Sequence, residues 1–232
     1  MNHYYKAFIT LNELVIDRGY EPLQYASHLV SLDTFIDWNA SLVEPDLASY
    51  MQEHELSREL ALVTDPMLAL LRTAWTTSVV RFLDEKNKKK LYIIWTDSVN
   101  NKVISDIYTE YTKKNAKRII VVFDGSITSP AKNIIEKSKY IQFTFLSTKD
   151  LQYNITHHVL QPKYKLLNFQ ERLKFFNEYY PGPKTNHIKM LVTDPIAIYF
   201  GARPGDVFMT TRRSDNGQIH ISYRYIIEES DG

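Results

Sequence analysis

The sequence predicts an α/β N-terminal domain with a mostly parallel sheet and crossover helices, followed by a small α+β C-terminal domain. Between residues 76 and 145, strand-like runs alternate with helix-like stripes, which is the pattern of parallel strands joined by crossover helices. Later in the chain the pattern changes to short helices, turn signals and one hairpin. The chain has 232 residues, enough for two small domains, and we place these domains at 1–148 and 149–232.

The first domain is predicted to begin with a helix. Residues 4–18 carry apolar side chains at helical spacing, and Gly19 marks the end of that stripe. Residues 20–75 are interrupted by three prolines, so they predict only short pieces, helical around 46–62.

The predicted sheet follows, with β-branched and aromatic runs separated by polar loops and helical stripes. In chain order the predicted elements are a strand at 76–83, a polar loop from Asp84 to Lys90, a strand at 91–95, a helix capped by Asp97 or Ser98 with the stripe Ile104, Ile107, Tyr108 and Tyr111, a strand at 119–123, a helix at 129–138 and a strand at 141–145.

Two helix starts are predicted in the C-terminal domain. Asn168, with Glu171 three residues later, predicts a capping box, in a helix that continues to about Tyr180. Asp194 and Pro195 predict the cap and first residue of a two-turn helix.

The end of that second helix leads into a predicted turn and hairpin. Gly201 is expected to end the helix in the left-handed conformation, and Pro204 with Gly205 fits a type II turn, so both glycines should have positive φ. Strands at 206–213 and 218–227 then flank a turn. One face of the last strand should carry Ile219, Ile221, Tyr223 and Tyr225, and the other His220, Ser222 and Arg224.

Composition narrows the functional classes. The hydrophobic share of 44% fits a globular protein, and the net charge of +1 is low for a dedicated nucleic-acid binder. The absence of cysteine excludes disulfides and thiolate metal sites. Because no apolar stretch suits a signal peptide or a membrane span, we expect an intracellular protein without a membrane partner.

Three stretches, in order, resemble the small subunit, fifth by size, that eukaryotic RNA polymerases I, II and III share. They are Tyr5-Lys6-Ala7-Phe8 leading to Asp17-Arg18-Gly19-Tyr20, then Tyr153-Asn154-Ile155-Thr156-His157-His158 with Pro162-Lys163, and the terminal stretch from Thr193 to Tyr225. A weaker match covers 127–132. The terminal stretch is also similar to the archaeal counterpart of this small polymerase subunit. The resemblance covers 90–232 and 1–20, whereas 21–75 does not align.

The chain departs from the family pattern at three places. His187-Ile188-Lys189-Met190 stands where the family usually has Leu-Pro-Arg-Ile, Tyr164 replaces a common histidine, and the turn Ser214-Asp215-Asn216-Gly217 differs from the usual Ser-Glu-Thr. These departures suggest a divergent lineage, such as that of a large DNA virus with its own polymerase.

The resemblance implies a non-catalytic structural subunit of a multisubunit DNA-directed RNA polymerase, with no catalytic residue, metal or cofactor. Its N-terminal part would be a jaw domain beside downstream double-stranded DNA, held weakly and without sequence preference. Its C-terminal part would be an assembly domain that docks on the largest subunit, among other polymerase subunits. The expected location is the nucleus, or for a viral protein the host nucleus, a cytoplasmic viral factory or the virion.

Site residues follow from this resemblance and from the arginines of the terminal stretch, which we interpret as a docking surface. The expected DNA-proximal residues are Thr128, Ser129, Pro130 and Lys132. The expected assembly interface comprises Asp194, Pro195, Tyr199, Gly201, Arg203, Gly205, Arg212, Arg213, Tyr223 and Arg224.

Two other functions stay open. Asp84-Glu85-Lys86 resembles half of a metal-dependent nuclease site, which would make the chain a stand-alone nuclease-like DNA enzyme. A free transcription adaptor could reuse the assembly domain. Adjacent His157 and His158 would point to opposite faces of a strand, so we interpret them as a structural or interface pair rather than as metal ligands.

Overall fold

The computed structural model describes residues 2–23, 25–42, 48–49, 51–53, 77–81, 90–128, 131, 140–179, 188–214 and 216–228, with the backbone alone for 77–81 and 179. The chain divides into two compact units, which we call the N-terminal unit (Met1–Tyr153) and the C-terminal unit (Asn154–Gly232). Their mixed α/β content agrees with the predicted fold class. The predicted domain boundary stays a prediction, because compactness alone does not show independent folding.

The described elements of the N-terminal unit are α1 (Asn2–Asp17), a 3₁₀ turn (Ala26–Leu29), α2 (Leu32–Leu42), β1 (Thr77–Arg81), β2 (Lys90–Thr96), α3 (Asn101–Lys113), β3 (Arg118–Phe123), β4 (Gln142–Ser147) and a second 3₁₀ turn (Asp150–Gln152).

The four strands of this unit form one sheet in the order β1-β2-β3-β4. Strands β2, β3 and β4 run parallel, and β1 pairs antiparallel with β2 at the edge. The predicted mostly parallel sheet is therefore present. Helix α3 packs on one face, with Ile104, Ile107 and Tyr111 buried in a cluster that includes Ile119 and Val121 of β3.

Helix α3 does not begin where the sequence predicts. The cap is Asn100, whose Oδ1 accepts a hydrogen bond from the Val103 N–H at 3.0 Å, rather than Asp97 or Ser98. Val99 forms a parallel bridge with Ile127, and this pairing keeps the preceding residues in the extended connection after β2.

Helix α1 lies over the other side of the sheet. Its buried Phe8 stacks on Trp95 of β2, with ring centroids 4.5 Å apart. The predicted stop is confirmed, because Gly19 has a φ of 80° and its N–H donates to the carbonyl oxygen of Ile16. Helix α2 was not predicted, and the helix expected around 46–62 lies mostly outside the described residues, like the predicted helix at 129–138 and the loop 84–90.

The described elements of the C-terminal unit are a 3₁₀ turn (Ile155–His157), β5 (Lys163–Leu166), α4 (Phe169–Lys174) continued by a π turn (Phe175–Tyr179), β6 (Lys189–Leu191), α5 (Pro195–Phe200), β7 (Val207–Arg213) and β8 (Ile219–Ile227).

These four strands form a sheet in the order β5-β7-β8-β6. The pairs β5–β7 and β7–β8 are antiparallel, and β6 runs parallel to β8. On one face Phe208 and Ile226 join Ile196 of α5 in a small core. On the other face Val207 packs with Phe175. The sheet is thus covered on both faces near its α5 end.

Candidate assembly and DNA interfaces

Helix α5 is built as its sequence predicts. Asp194 Oδ1 accepts a hydrogen bond from the Ile196 N–H at 2.8 Å, and Pro195 occupies the first turn. Gly201 ends the helix in the left-handed region with a φ of 62°. The Ala202 N–H then donates to the carbonyl oxygen of Ala197, which closes the helix end.

The turn after α5 is fixed by hydrogen bonds from three directions. Gly205 has a φ of 91°, and the Asp206 N–H donates to the carbonyl oxygen of Arg203 at 2.9 Å, as a type II turn requires. The Asp206 carboxylate accepts the Arg203 N–H and pairs with the guanidinium of Arg172 on α4. The Gly205 N–H donates to the carbonyl oxygen of Ile226 on β8. This turn therefore joins α4, α5 and β8.

Tyr199, an expected interface residue, is only 4% exposed. Its phenol oxygen accepts a hydrogen bond at 2.9 Å from Nδ2 of Asn154, which is also buried. Asn154 in turn caps the first 3₁₀ turn of the unit, since its Oδ1 accepts from the Thr156 N–H. Tyr199 therefore lies inside the unit, where its hydrogen bond connects the start of the unit to α5.

Tyr223 and Arg224 lie on opposite faces of β8 and are both half-buried. The Tyr223 ring packs against Phe175 with centroids 4.6 Å apart. The Arg224 guanidinium lies over the ring of Tyr164, 5.9 Å from its centroid. Both side chains therefore pack on neighbours within the unit.

The four arginines of the terminal stretch do not form one cluster, contrary to the expectation. Arg203 lies in the turn after α5, whereas Arg212 and Arg213 lie at the exposed end of β7. Arg212 pairs across the hairpin with His220, and Arg224 is four residues further along β8, about 13 Å away. The number of residues between these arginines does not predict their separation in space, because that separation depends on the register of the hairpin.

His157 and His158 do not lie in a strand. His157 ends a 3₁₀ turn, both side chains are exposed, and His158 Nδ1 accepts the N–H of Leu160 at 3.2 Å. The predicted placement of His157 and His158 on opposite faces of a strand is therefore wrong. Within the described ranges, no group of three or more His, Asp and Glu side chains is arranged to hold a metal ion.

Of the expected DNA-proximal residues, only Thr128 is described; Ser129, Pro130 and Lys132 lie outside the described residues. The Thr128 N–H donates to the carbonyl oxygen of Val99 at 3.0 Å, and its hydroxyl donates to the same oxygen at 3.5 Å. Both donors of Thr128 therefore have a partner within the unit.

The sequence analysis missed a polar junction at the end of β3. The Asp124 carboxylate accepts hydrogen bonds from the Tyr4 hydroxyl at 2.8 Å and the Thr148 hydroxyl at 2.5 Å. His3 Nε2 lies 3.9 Å from the same carboxylate. This junction connects α1 to the carboxyl ends of β3 and β4. The nearest signal in the sequence was the family resemblance that begins at the adjacent Tyr5.

Residues 153–226, almost the whole C-terminal unit, match the family model described as RNA polymerase Rpb5, C-terminal domain. DNA-directed RNA polymerase subunit Rpo5 of Sulfolobus acidocaldarius is 33% identical over 82 residues, which are 35% of this chain and 95% of that protein. The chain belongs to the Rpb5 family. The family resemblance inferred from the sequence is therefore confirmed.

Longer relatives match about half of this chain. DNA-directed RNA polymerases I, II, and III subunit rpabc1 of Dictyostelium discoideum is 32% identical over 118 residues, 49% of this chain and 59% of that protein. DNA-directed RNA polymerase subunit 5-like protein 1 of Arabidopsis thaliana is 36% identical over 112 residues, 47% of this chain and 52% of that protein. The chain thus spans just over half the length of these relatives. None of the helices in its described part is long and apolar enough to span a membrane.

Proposed function

We propose that this chain is a non-catalytic structural subunit of a multisubunit DNA-directed RNA polymerase. One observation carries the proposal: an archaeal protein named as a polymerase subunit matches the chain over 95% of its own length. The matched region holds the capped α5, the turn at Gly205 and the β7–β8 hairpin, which together form the compact C-terminal unit. Polymerisation chemistry would belong to the two largest subunits.

The C-terminal unit would be the assembly domain, docking on the largest polymerase subunit. Exposed Arg203, Arg212 and Arg213 support this role, because arginine pairs with carboxylates in a bidentate manner and is enriched at interfaces. The Asp194 cap and buried Tyr199 would act indirectly, since they hold α5 and the turn that carries Arg203.

The N-terminal unit would be the jaw beside downstream DNA, with the contact at residues 128–132. A net charge of +1 supports only a weak contact without sequence preference. Because the donors of Thr128 already bond to Val99, a phosphate contact would depend on Ser129 and Lys132 rather than on Thr128. The polymerase would hold the duplex in place, and the nucleus would be the site of action.

Co-purification tests the proposal. An affinity-tagged full-length chain, expressed at native level in the cells of origin, should recover the two largest polymerase subunits in near-equal amounts by quantitative mass spectrometry. Recovery should persist through a wash of moderate salt. Absence of the polymerase subunits would overturn the proposal. Recovery in small, salt-labile amounts would instead indicate a free adaptor, and magnesium-dependent DNA cleavage by the purified chain would indicate a nuclease.

A further inference from the structure

The end of the C-terminal unit opposite the turn at Gly205 carries an unusual number of exposed apolar side chains. Val159 and Leu160 are 95% and 83% exposed, and Ile219 and Ile221 are 62% and 57% exposed. Isolated exposed apolar residues are common on protein surfaces, whereas several in one area indicate an interaction site.

Strand register places Ile221 in one row with Lys163, at the start of the strand that follows Leu160. Lys163 of β5 pairs with Thr211 of β7, which pairs with Ile221 of β8, so the three form one row across the sheet. With strands about 4.8 Å apart, Lys163 and Ile221 are about 10 Å from each other. Leu160 is three residues before Lys163, in a turn closed by the bond from the Gln161 N–H to the His158 carbonyl oxygen.

The cores of the unit do not extend to this end. On the α4 face the packed residues of β8 are Tyr223 and Tyr225, and on the α5 face the packed residue of β7 is Phe208. Ile219 and Ile221 continue the face of Tyr223 and Tyr225 beyond α4, so they are exposed although they share that face with the packed tyrosines.

The charges of this end have one sign among the described residues. On the face of Ile219 and Ile221, Lys163 and Arg213 are exposed and neither has an ion pair within the described ranges, whereas Arg212, which pairs with His220, lies on the opposite face. Lys165, the next lysine on β5, differs because it pairs with Glu171 of α4. Asp215, in the hairpin turn itself, lies outside the described residues.

We propose that the 158–161 turn and the tip of the β7–β8 hairpin form one docking face for an acidic segment with apolar side chains on another polymerase subunit. Val159, Leu160, Ile219 and Ile221 would be the apolar anchors, and Lys163 and Arg213 would pair with carboxylates at the rim. Self-association is disfavoured, because two copies would bring like charges together.

This inference rests on the proposed function and specifies its contact surface. The test is recovery of polymerase subunits by the tagged full-length chain carrying V159S/L160S, I219T/I221T or K163E/R213E. Each variant should recover about tenfold less of the polymerase subunits than wild type, because it removes either two apolar side chains that the partner would bury or two positive charges that would pair with carboxylates. The matched controls are Val30→Ser, an 81% exposed apolar residue of the N-terminal unit, and Lys102→Glu on the exposed side of α3, and both should recover wild-type amounts.

Each variant should unfold at the same temperature as wild type. A loss of polymerase recovery then reflects weaker binding rather than loss of the folded structure. If wild type recovers the polymerase and all three tip variants recover it equally well, the docking face is wrong while the proposed function stands. If wild type recovers no polymerase subunit, both are wrong.

A second measurement does not depend on substitutions that weaken binding. A photo-crosslinking residue at Leu160 or Ile219 in the purified complex should give adducts with a peptide of another polymerase subunit that is rich in Asp and Glu. Adducts with a basic peptide, with nucleic acid or with a second copy of this chain would overturn the proposal.

Discussion

The side-chain amide of Asn154 donates a hydrogen bond to the phenol oxygen of Tyr199, 45 residues further along the chain and 2.9 Å away. Both residues are buried, so the bond connects the first residue of the C-terminal unit to α5 in a place that water does not reach.

Removal of that bond should destabilise the C-terminal unit. Tyr199→Leu leaves the buried Nδ2 of Asn154 without this acceptor, so the free energy of unfolding should fall by about 2 kcal/mol or more from the lost acceptor and lost ring packing together. Chemical denaturation of the full-length chain, monitored through the unfolding transition of the C-terminal unit, measures the change. Exposed Tyr153→Leu is the control, and an equal loss in both variants would contradict the assigned role of Tyr199.

The turn at Gly205 allows a test of backbone conformation without a steric clash. A Cβ at Gly205 would meet only the Tyr225 hydroxyl, at an ordinary 3.9 Å, so Gly205→Ala should cost about 1 kcal/mol through its φ of 91° alone. Gly205→Asn should cost less, because asparagine tolerates positive φ better than alanine. The unfolding free energies of the two variants check this order, and a smaller loss for alanine would show that the conformation does not limit stability.

Gly125 tests the opposite case, a close backbone approach. Its added Cβ would lie 2.9 Å from the carbonyl oxygen of Asp97, so the connections after β2 and β3 would have to move apart. Gly125→Ala should therefore lower the stability of the N-terminal unit by about 1–3 kcal/mol. Protection of the Gly125 and Val99 amides against hydrogen exchange should fall in the variant, since both donate across this junction. Unchanged protection would contradict the close approach.

Tyr25 should make the protein sensitive to alkaline pH. Its hydroxyl is buried without a hydrogen-bond partner among the described residues, and burial raises the pKa of the phenol well above its usual value. The stability associated with neutral Tyr25 is complete below about pH 10, the unfolded value, and is lost as the pH rises from there towards the folded pKa.

Tyr25→Phe should therefore reduce the loss of unfolding free energy between about pH 9 and 11, and at neutral pH its stability should equal or exceed wild type, because no hydrogen bond is broken. Denaturation curves at several pH values measure both effects. Exposed Tyr140→Phe is the control, and its unfolding free energy should fall with alkaline pH as steeply as that of wild type. Identical slopes for all three proteins would show that Tyr25 ionises freely.

The jaw contact is tested in the assembled elongation complex. A photo-crosslinking residue at Pro130 should form adducts with duplex DNA ahead of the active centre. Lys132→Ala should lower the slope of log K against log salt by about 1 at most, because one phosphate contact is lost. Adducts only with protein, or only with RNA, would contradict the jaw role.

Features set by neighbouring residues were predictable from the sequence. The Asp194 cap, the left-handed Gly201, the turn at Gly205 and the capping box of Asn168 with Glu171 are all present, and each depends on contacts within four residues. In each case one residue type has a marked preference for the local backbone conformation, so the sequence carries the signal directly.

Features set by distant contacts were not predictable. The bridge between Val99 and Ile127 moves the cap of α3 to Asn100, although Asp97 and Ser98 are equally good capping residues. Exposure of Ile219 and Ile221 depends on how far α4 extends over β8, because their alternation is the same as that of the packed Tyr residues nearer the centre. Both outcomes depend on packing against elements that are distant in the sequence.

Strand β8 lies between β7 and β6, and among the described strands β6 pairs with β8 alone. During synthesis β5, α4, β6, α5 and β7 all leave the ribosome before the strand that joins them. Until β8 arrives, β6 has no strand to pair with and Met190 lacks the Ile226 side of its core. The described sheet of the C-terminal unit is therefore complete only once β8 has been made, so a chain that stops before β8 would lack both the β6 pairing and part of this core.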